Sequence, residues 1–331
     1  MIALNGKTVL LIGGAGNIGS HLTDLLTKQY HARIIIFDNF IRGSMDNLAE
    51  SLARQPLEIV RGDIRDLDAL NEVFKGVDYV FHLASAWLLQ CLENPRLSLD
   101  VNVVGTYNVL EACIKHKIKK LIFSSSASVF GDPSYVPVDE NHPFNTNSAY
   151  GGSKVANEQY CEVFRHMYCL KYVGLRYFNV YGPRQDVKGA FTQVLPKWLD
   201  RIDQGLPIEI YGDGSQTMDM IFVKDVARSN LCALQSDTEH GFFNIGSGIE
   251  TSVKQLAEYL IELTGSSVEI KYIPQDICLV RRRCSTTEKA EKLIGFKHRV
   301  SVREGLKEFI TWRRTQLNKM AQETTVKVES L

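Results

Sequence analysis

Near its start the chain commits to one local geometry. Thr8-Val9-Leu10-Leu11-Ile12 is a short apolar run of the kind a strand buried on both faces requires. Gly13, Gly16 and Gly19 follow at three-residue spacing, and the segment from Ile18 to Leu26 then repeats apolar residues at helical spacing. Glycines admit dihedrals and close backbone approaches that other residues resist. The helix N-terminus beyond them presents free amides and a partial positive charge. In that context the turn reads as a phosphate cradle for a dinucleotide, with Asn17 and Ile18 opening the helix. A second strand, Arg33 to Phe37, ends at Asp38 and Asn39. A carboxylate about 20 positions beyond such a loop accepts hydrogen bonds from an adenosine ribose and repels a 2′-phosphate. NAD is therefore expected rather than NADP. Arg42, close by, reads as a solvated loop arginine.

Strands and helices alternate through the first half. Further apolar runs lie at 57–60, 79–83, 120–124 and 172–176, with helical patterns near 67–75, 98–116 and 148–168. This pattern predicts an α/β fold, a doubly wound parallel sheet with a smaller C-terminal substrate-binding lobe. Ligand contacts are expected where strands end: Gly13, Asp38, Asp63, Ala84, Ser124 and Tyr177. The first domain is expected over 1–180. Prolines, glycines and shorter helices near 193–204, 224–235, 253–264 and 301–315 suggest a second lobe over 181–317. Residues 318–331 are polar, lack periodicity and read as a disordered tail.

Tyr150 and Lys154 stand four residues apart in the predicted 148–168 helix, on one helix face. A free tyrosine, with a pKa of about 10, is a poor base near neutral pH. A neighbouring ammonium favours the phenolate and lowers that value. The pair is therefore expected to supply a general acid/base.

Taken together, these motifs make the chain resemble the extended short-chain dehydrogenase/reductases, in particular the NAD-dependent nucleotide-sugar epimerase/dehydratase family. The likeness covers about residues 7–312 and runs in family order. GGAGNIGSHL at 13–22 is followed by FDN at 37–39, GDIRD at 62–66, HLAS at 82–85 and NVVGTYNVLEA at 102–112. FSSSASVFGDP at 123–133, YGGSK at 150–154, RYFNVYGPRQ at 176–185 and IYGDGSQTMDMIFVKDVA at 210–227 complete it. The resemblance implies a catalytic set of Ser126, Tyr150 and Lys154, with Ser126 holding the reacting oxygen. It implies a NAD site that adds Ile64, Leu83, Ser85 and Asn102 to the residues above, Asp63 and Ile64 lying at the adenine. It implies substrate contacts from Asn179, Gln193, Val194, Tyr211 and Arg281, and no metal.

Departures from the family pattern narrow the reaction. Where the 4,6-dehydratases carry Asp-Glu after the catalytic Ser or Thr, this chain has Ala127 and Ser128, neither titratable. Elimination of water needs a further acid/base pair. The decarboxylases usually place Glu where Ser128 stands. Asp186 replaces the second arginine that uronate epimerases often carry, and Met218 replaces an arginine that pairs with diphosphate. Arg281, Arg282 or Arg283 could compensate, and Arg283 or Cys284 falls where the family sets sugar size. The expected function is epimerisation of a nucleotide-diphosphate sugar at C4 through a 4-keto intermediate, on a UDP-hexose or UDP-N-acetylhexosamine. A 4-keto-reductase, a 4,6-dehydratase and a non-catalytic dinucleotide-binding regulator remain alternatives.

Composition bounds the setting. The 38 basic and 38 acidic residues balance, so neither nucleic acid nor an anionic membrane is an expected partner. No apolar stretch approaches the roughly 20 residues a bilayer span needs. No signal-peptide pattern precedes the first strand. Cysteines 91, 113, 161, 169, 232, 278 and 284 are odd in number and lack metal-ligand spacing, as expected of reduced thiols in the cytoplasm. A homodimer is expected, by the resemblance, through the helices near 98–116 and 148–168, with Val101, Val103, Val104, Val109 and Leu110 as candidate contacts.

Overall fold

The structure, a computed structural model, describes residues 4–185, 194–274 and 281–329. The chain opens with β1 (Thr8–Ile12), α1 (Asn17–Gln29), β2 (Arg33–Asp38), α2 (Ala49–Arg54) and β3 (Glu58–Arg61). It continues with α3 (Leu67–Val73), β4 (Tyr79–His82), α4 (Leu88–Glu93), a π-helical stretch over Ser98–Gly105, and α5 (Thr106–Lys115). Then come β5 (Lys120–Ser126), α6 (Ala149–Tyr168) and β6 (Tyr172–Tyr177). The second half holds β7 (Asn179–Tyr181), α7 (Val194–Asp203), β8 (Ile208–Tyr211), β9 (Thr217–Phe222), α8 (Val223–Gln235) and β10 (Phe242–Ile245). It ends with β11 (Glu250–Ser252), α9 (Val253–Thr264), β12 (Ile270–Ile273), β13 (Arg282–Arg283), α10 (Glu288–Ile294) and α11 (Val302–Glu329).

Seven strands form one sheet in the order β10-β6-β5-β4-β1-β2-β3, and all its pairs are parallel. The continuous apolar strands follow from burial on both faces. Val9 and Leu11 join a core with Leu22 and Leu26 of α1 and Val226 and Leu231 of α8. Leu10 and Ile12, one residue out of phase, join the opposite core with Leu70, Val109, Leu110 and Phe164. Strand order reverses between β1 and β4, so a crevice opens above their carboxyl ends, the usual ligand site of such sheets.

Four features differ from the sequence expectation. The lobes do not divide at residue 180: α8 covers the main sheet and β10 is its edge strand, so the chain returns to the first domain. Phe242-Phe243-Asn244-Ile245 is too short an apolar run to stand out against its loop-rich surroundings. The expected helix over 98–116 is a π-helical stretch followed by α5, and the wider turn carries Asn102 inward. Val109 and Leu110 pack in the sheet-side core and are unavailable to a partner, whereas Val104 is exposed. The last helix runs on to Glu329, through the segment read as a tail, because its Lys, Met, Ala, Gln and Glu residues favour helix without needing an apolar face.

The second lobe centres on β9, flanked by β11 and β13 and paired also with β7, while β8 and β12 form a separate pair. Its core includes Tyr181, Trp198, Leu199, Phe222, Leu256 and Phe309. Asp219 of β9 fastens this lobe internally. It is 0% exposed and accepts from the Ser247, Gly248 and Ser285 amides and from the Ser247 and Ser285 hydroxyls.

His82, at the end of β4, is buried, with Nε2 3.0 Å from Thr106 Oγ1 and no partner for Nδ1. Burial, helped by the Lys154 charge, pulls its pKa down to about 3. A histidine held neutral in the fold but protonated near pH 6.5 once unfolded stabilises the fold above that pH. This contribution is lost as pH falls from about 6.5 toward the folded value. Between pH 7.5 and 5, His82→Gln should lose about 2 kcal/mol less stability than the unaltered chain. Urea denaturation at the two pH values measures this; equal losses would mean that His82 is not held neutral.

Candidate active site

The crevice is a cavity of about 1030 Å³. That is the upper end of what one drug-sized ligand fills. Its floor is the glycine turn. Gly13 sits at φ +81°, and a Cβ there would lie 2.6 Å from the Ala84 amide nitrogen. A Cβ on Gly19 would lie 2.3 Å from Gly13 O. Side chains at these positions would force β1, β4 and α1 apart. Gly16 is the N-cap residue of α1, which has no side-chain cap and no acidic residue in its first turn. Gly16, Asn17, Ile18 and Gly19 all line the cavity; Gly16 N donates to Gly13 O at 3.3 Å, and the first-turn amides of Asn17, Ile18 and Gly19, with the helix dipole, are available to an anion. Asp38 stands beside them, accepting from Ala15 N and Phe40 N at 3.0 and 2.9 Å. Burial raises its pKa against those two amide bonds. Asp63 accepts from Arg65 and Asn39, and the Arg65 guanidinium holds its carboxyl down at about 2. A pyrophosphate cradle followed by a ribose carboxylate and a second acidic corner fits a dinucleotide.

The opposite end of the cavity holds the catalytic candidates. Ser148 caps α6, its hydroxyl accepting from Gly151 N at 3.1 Å, which sets Tyr150 and Lys154 in the first two turns. Lys154 is 3% exposed, donates to Ser124 O at 3.0 Å, and has its Nζ 5.6 Å from the Tyr150 ring centroid. Ser126 Oγ donates to Ser128 Oγ and accepts from Ser128 N, both at 3.1 Å, and its hydroxyl lies near enough to the Tyr150 phenol to favour the phenolate. The expected lowering of the tyrosine pKa is not met in the chain alone. Burial pushes the Tyr150 phenol up to about 12, despite the Ser126 hydroxyl, and burial pulls Lys154 down to about 8. Loss of hydration dominates, and the Lys154 ammonium donates to the Ser124 carbonyl.

Most predicted residues converge here. Gly13, Gly16, Asn17, Ile18, Gly19, Asp38, Asn39, Asp63, Ile64, Leu83, Ala84, Ser85, Ser124, Ser126, Tyr150, Lys154, Tyr177, Asn179 and Val194 all line the cavity. Asn102 does not; it sits behind the wall. There its amide accepts from Ala86 N at 2.8 Å and Ser85 Oγ at 3.0 Å, and donates to Ala86 O at 3.0 Å and Ser153 Oγ at 3.1 Å. It therefore ties the loop after β4 to α6. Tyr211 is also off the cavity, 58% exposed, because β8 pairs only with the outer strand β12. Arg281 is exposed and engages Thr217 N through its carbonyl. Arg282 pairs with Glu250, and Arg283 donates to Gly131 O at 2.7 Å, so none of the three arginines lines the cavity. Gln193 lies outside the described residues.

Sequence reasoning missed Arg42, Trp87, Gln90, Met220 and Trp312 as cavity-lining residues. Arg42 is not simply solvated: its guanidinium carbon lies 4.4 Å above the Trp87 ring. Trp87 was findable, since it follows the HLAS motif at the end of β4.

Comparison with known proteins agrees with this geometry. The profile of the NAD dependent epimerase/dehydratase family matches residues 9–246. A putative UDP-glucose 4-epimerase of Methanocaldococcus jannaschii is 40% identical over 307 residues, 92% of this chain and 97% of that protein. The structure of a UDP-N-acetylglucosamine 4-epimerase from Methanobrevibacter ruminantium, in complex with UDP-N-acetylmuramic acid, superposes with a TM-score of 0.88 at 34% identity, covering 94% of this chain and 99% of that one. A UDP-glucose 4-epimerase of Thermotoga maritima with UDP-glucose gives 0.87 at 36% identity, over 94% and 100%. With a parallel sheet, a dinucleotide cradle and a tyrosine–lysine helix in one crevice, and a family profile spanning most of its length, this chain belongs to the NAD-dependent epimerase/dehydratase family.

Proposed function

We propose that the chain inverts C4 of a UDP-linked neutral hexose or N-acetylhexosamine through a 4-keto intermediate. One observation carries the choice of reaction. Among the described residues, Asp38 and Asp63 are the carboxylates lining the cavity, and both lie at the β2 and β3 ends, away from Tyr150. The catalytic end offers a phenol, an ammonium and hydroxyls. That is enough to move one proton on one oxygen, and it lacks the second acid/base that eliminating water needs. A neutral sugar is favoured because Arg184 Nη2 is held by Asp24 at 2.7 Å and Asp186 replaces the second arginine that uronate epimerases often carry. UDP is favoured by the substrates in the names of the relatives.

In this reading Tyr150 Oη takes the proton of the sugar 4-hydroxyl and later returns it, while Ser126 Oγ holds the reacting oxygen. Lys154 keeps positive charge beside the phenol. Bound NAD supplies a hydride acceptor, the same hydride in return, and a positive ring that favours the phenolate. Asn17, Ile18, Asp38, Asn39, Asp63 and Ile64 hold the dinucleotide; Asn179 and Val194 contact the nucleotide sugar.

The test is incubation of the purified protein with UDP-, GDP-, dTDP- and CDP-sugars, including UDP-glucose, UDP-N-acetylglucosamine and UDP-glucuronate. C4-inverted products without net consumption of reduced cofactor are expected. A stoichiometric demand for NADH or NADPH would instead identify a 4-keto-reductase.

A homodimer in the cytoplasm is part of the same proposal. Leu99, Val104 and Tyr107 on one helical segment and Tyr160, Val163 and Met167 on α6 are exposed apolar residues on adjoining helices. Tyr107 and Tyr160 stack edge to face at 5.2 Å. A self-complementary contact would cover this face. Sedimentation should give a dimer at micromolar concentration, and Val163→Glu with Met167→Glu should give a monomer. A monomeric unaltered chain would end this part of the proposal. The six described cysteines are free, as suits a reducing compartment, and no described helix is long and apolar enough to cross a membrane.

A further inference from the structure

The Arg42–Trp87 contact has a particular place in the topology. Arg42 lies on the loop that leaves β2, and Trp87 on the loop that leaves β4. In the sheet β2 and β4 flank β1, whose end carries the glycine turn. A contact between those two loops must therefore pass over the turn. Neighbouring strands are about 4.8 Å apart, so the two side chains span about 10 Å across the cradle. The guanidinium carbon sits 4.4 Å from the indole centroid, well inside cation–π range. Both residues line the cavity.

Both ends of this contact are anchored. Phe40, two residues before Arg42, holds a left-handed backbone at φ 58°, and its amide donates to Asp38 Oδ1. Ser44 N and Asn47 Nδ2 donate to Ala15 O at 3.1 and 2.9 Å, fastening the loop to the glycine turn. On the other side Asn102 grips both the amide and the carbonyl of Ala86, and Trp87 N donates to Gln90 Oε1 at 3.2 Å. The Trp87 Nε1 is buried with no acceptor among the described residues. The Arg42 charge also reaches the Tyr150 phenol and draws its pKa down, against the larger effect of burial.

We infer that Arg42 and Trp87 form a strap across the dinucleotide cradle that holds NAD in the protein between turnovers. Ordered anchors at both ends let the strap close with little loss of conformational entropy. The stacked pair opens to admit the cofactor. Arg42 also adds a positive charge above a cradle built for a diphosphate. The inference rests on the family's NAD dependence and not on which sugar is epimerised.

Measuring NAD release directly keeps the two questions apart. Protein loaded with isotope-labelled NAD is chased with unlabelled NAD, and label retained after gel filtration is followed in time. Arg42→Gln and Trp87→Leu should each speed release about tenfold. The double variant should be no faster than the faster single variant, since either change already opens the strap. Arg42 is exposed, so Arg42→Gln leaves the core untouched and remains informative if Trp87→Leu folds poorly. Release within twofold of the unaltered chain in either single variant, or effects that multiply in the double variant, would overturn the strap.

Discussion

Tyr150→Phe is expected to lower kcat about a thousandfold while leaving the fold and bound NAD unchanged. The phenylalanine ring fills the same space on α6 and loses only the hydroxyl on the Ser126 side. That hydroxyl is the proposed carrier of the 4-hydroxyl proton, and among the described cavity residues no carboxylate stands near enough to take its place. Lys154 cannot substitute, because its Nζ is turned to Ser124 O and it is buried. Steady-state turnover on whichever UDP-sugar proves to be the substrate, with NAD content measured on the same sample, is the check. Turnover within tenfold of the unaltered chain would remove Tyr150 from the proton transfer.

Asp219→Ala is expected to destabilise the protein by about 4–5 kcal/mol, a large share of a typical fold's net stability. The two carboxylate oxygens accept five hydrogen bonds, from Ser247 N, Ser247 Oγ, Gly248 N, Ser285 N and Ser285 Oγ. Both hydroxyls can rotate to other acceptors, but the three amides are fixed. Each buried amide left without a partner costs about 1–3 kcal/mol. Asp219→Asn retains one acceptor oxygen and should cost roughly half as much. Urea denaturation of the two variants beside the unaltered chain reads the difference. A loss below about 1 kcal/mol for Asp219→Ala would show that water enters and satisfies the amides.

The legible parts of the molecule were those where one local pattern had one structural solution. The glycine turn needs Gly13 and Gly19 because neighbouring backbone fills the space where each Cβ would stand, and at Gly16 a Cβ would press on Gly13 O at 3.3 Å. The strands of the parallel sheet read as apolar runs because both faces are covered. Tyr150 and Lys154 were visible as a pair because helical spacing alone sets them side by side. What was hidden depended on distant chain. β10 is four residues long, and its place at the sheet edge comes from pairing with β6. The π-helical turn is invisible to an apolar pattern, since its purpose is to carry Asn102 to Ala86 and Ser153. The acid/base chemistry was half legible. Spacing predicted that an ammonium would favour the phenolate, but burial of both groups sets their values in the chain alone. Arg42 read as a loop residue because its partner, Trp87, lies 45 positions away (87 − 42) and two strands across the sheet.

The return of α8 and β10 to the first sheet bears on how this protein is made. When a ribosome has released the first half of the chain, one face of that half-built sheet still lacks its cover. Leu22 and Leu26 of α1 are waiting for Val226, Ala227, Leu231 and Leu234, which lie beyond the start of the second lobe. At about 5–20 residues per second, that exposure lasts for seconds. The nascent chain therefore passes through an interval in which this apolar face of the sheet has no cover of its own. A fragment stopped near residue 180 would be caught permanently in that interval.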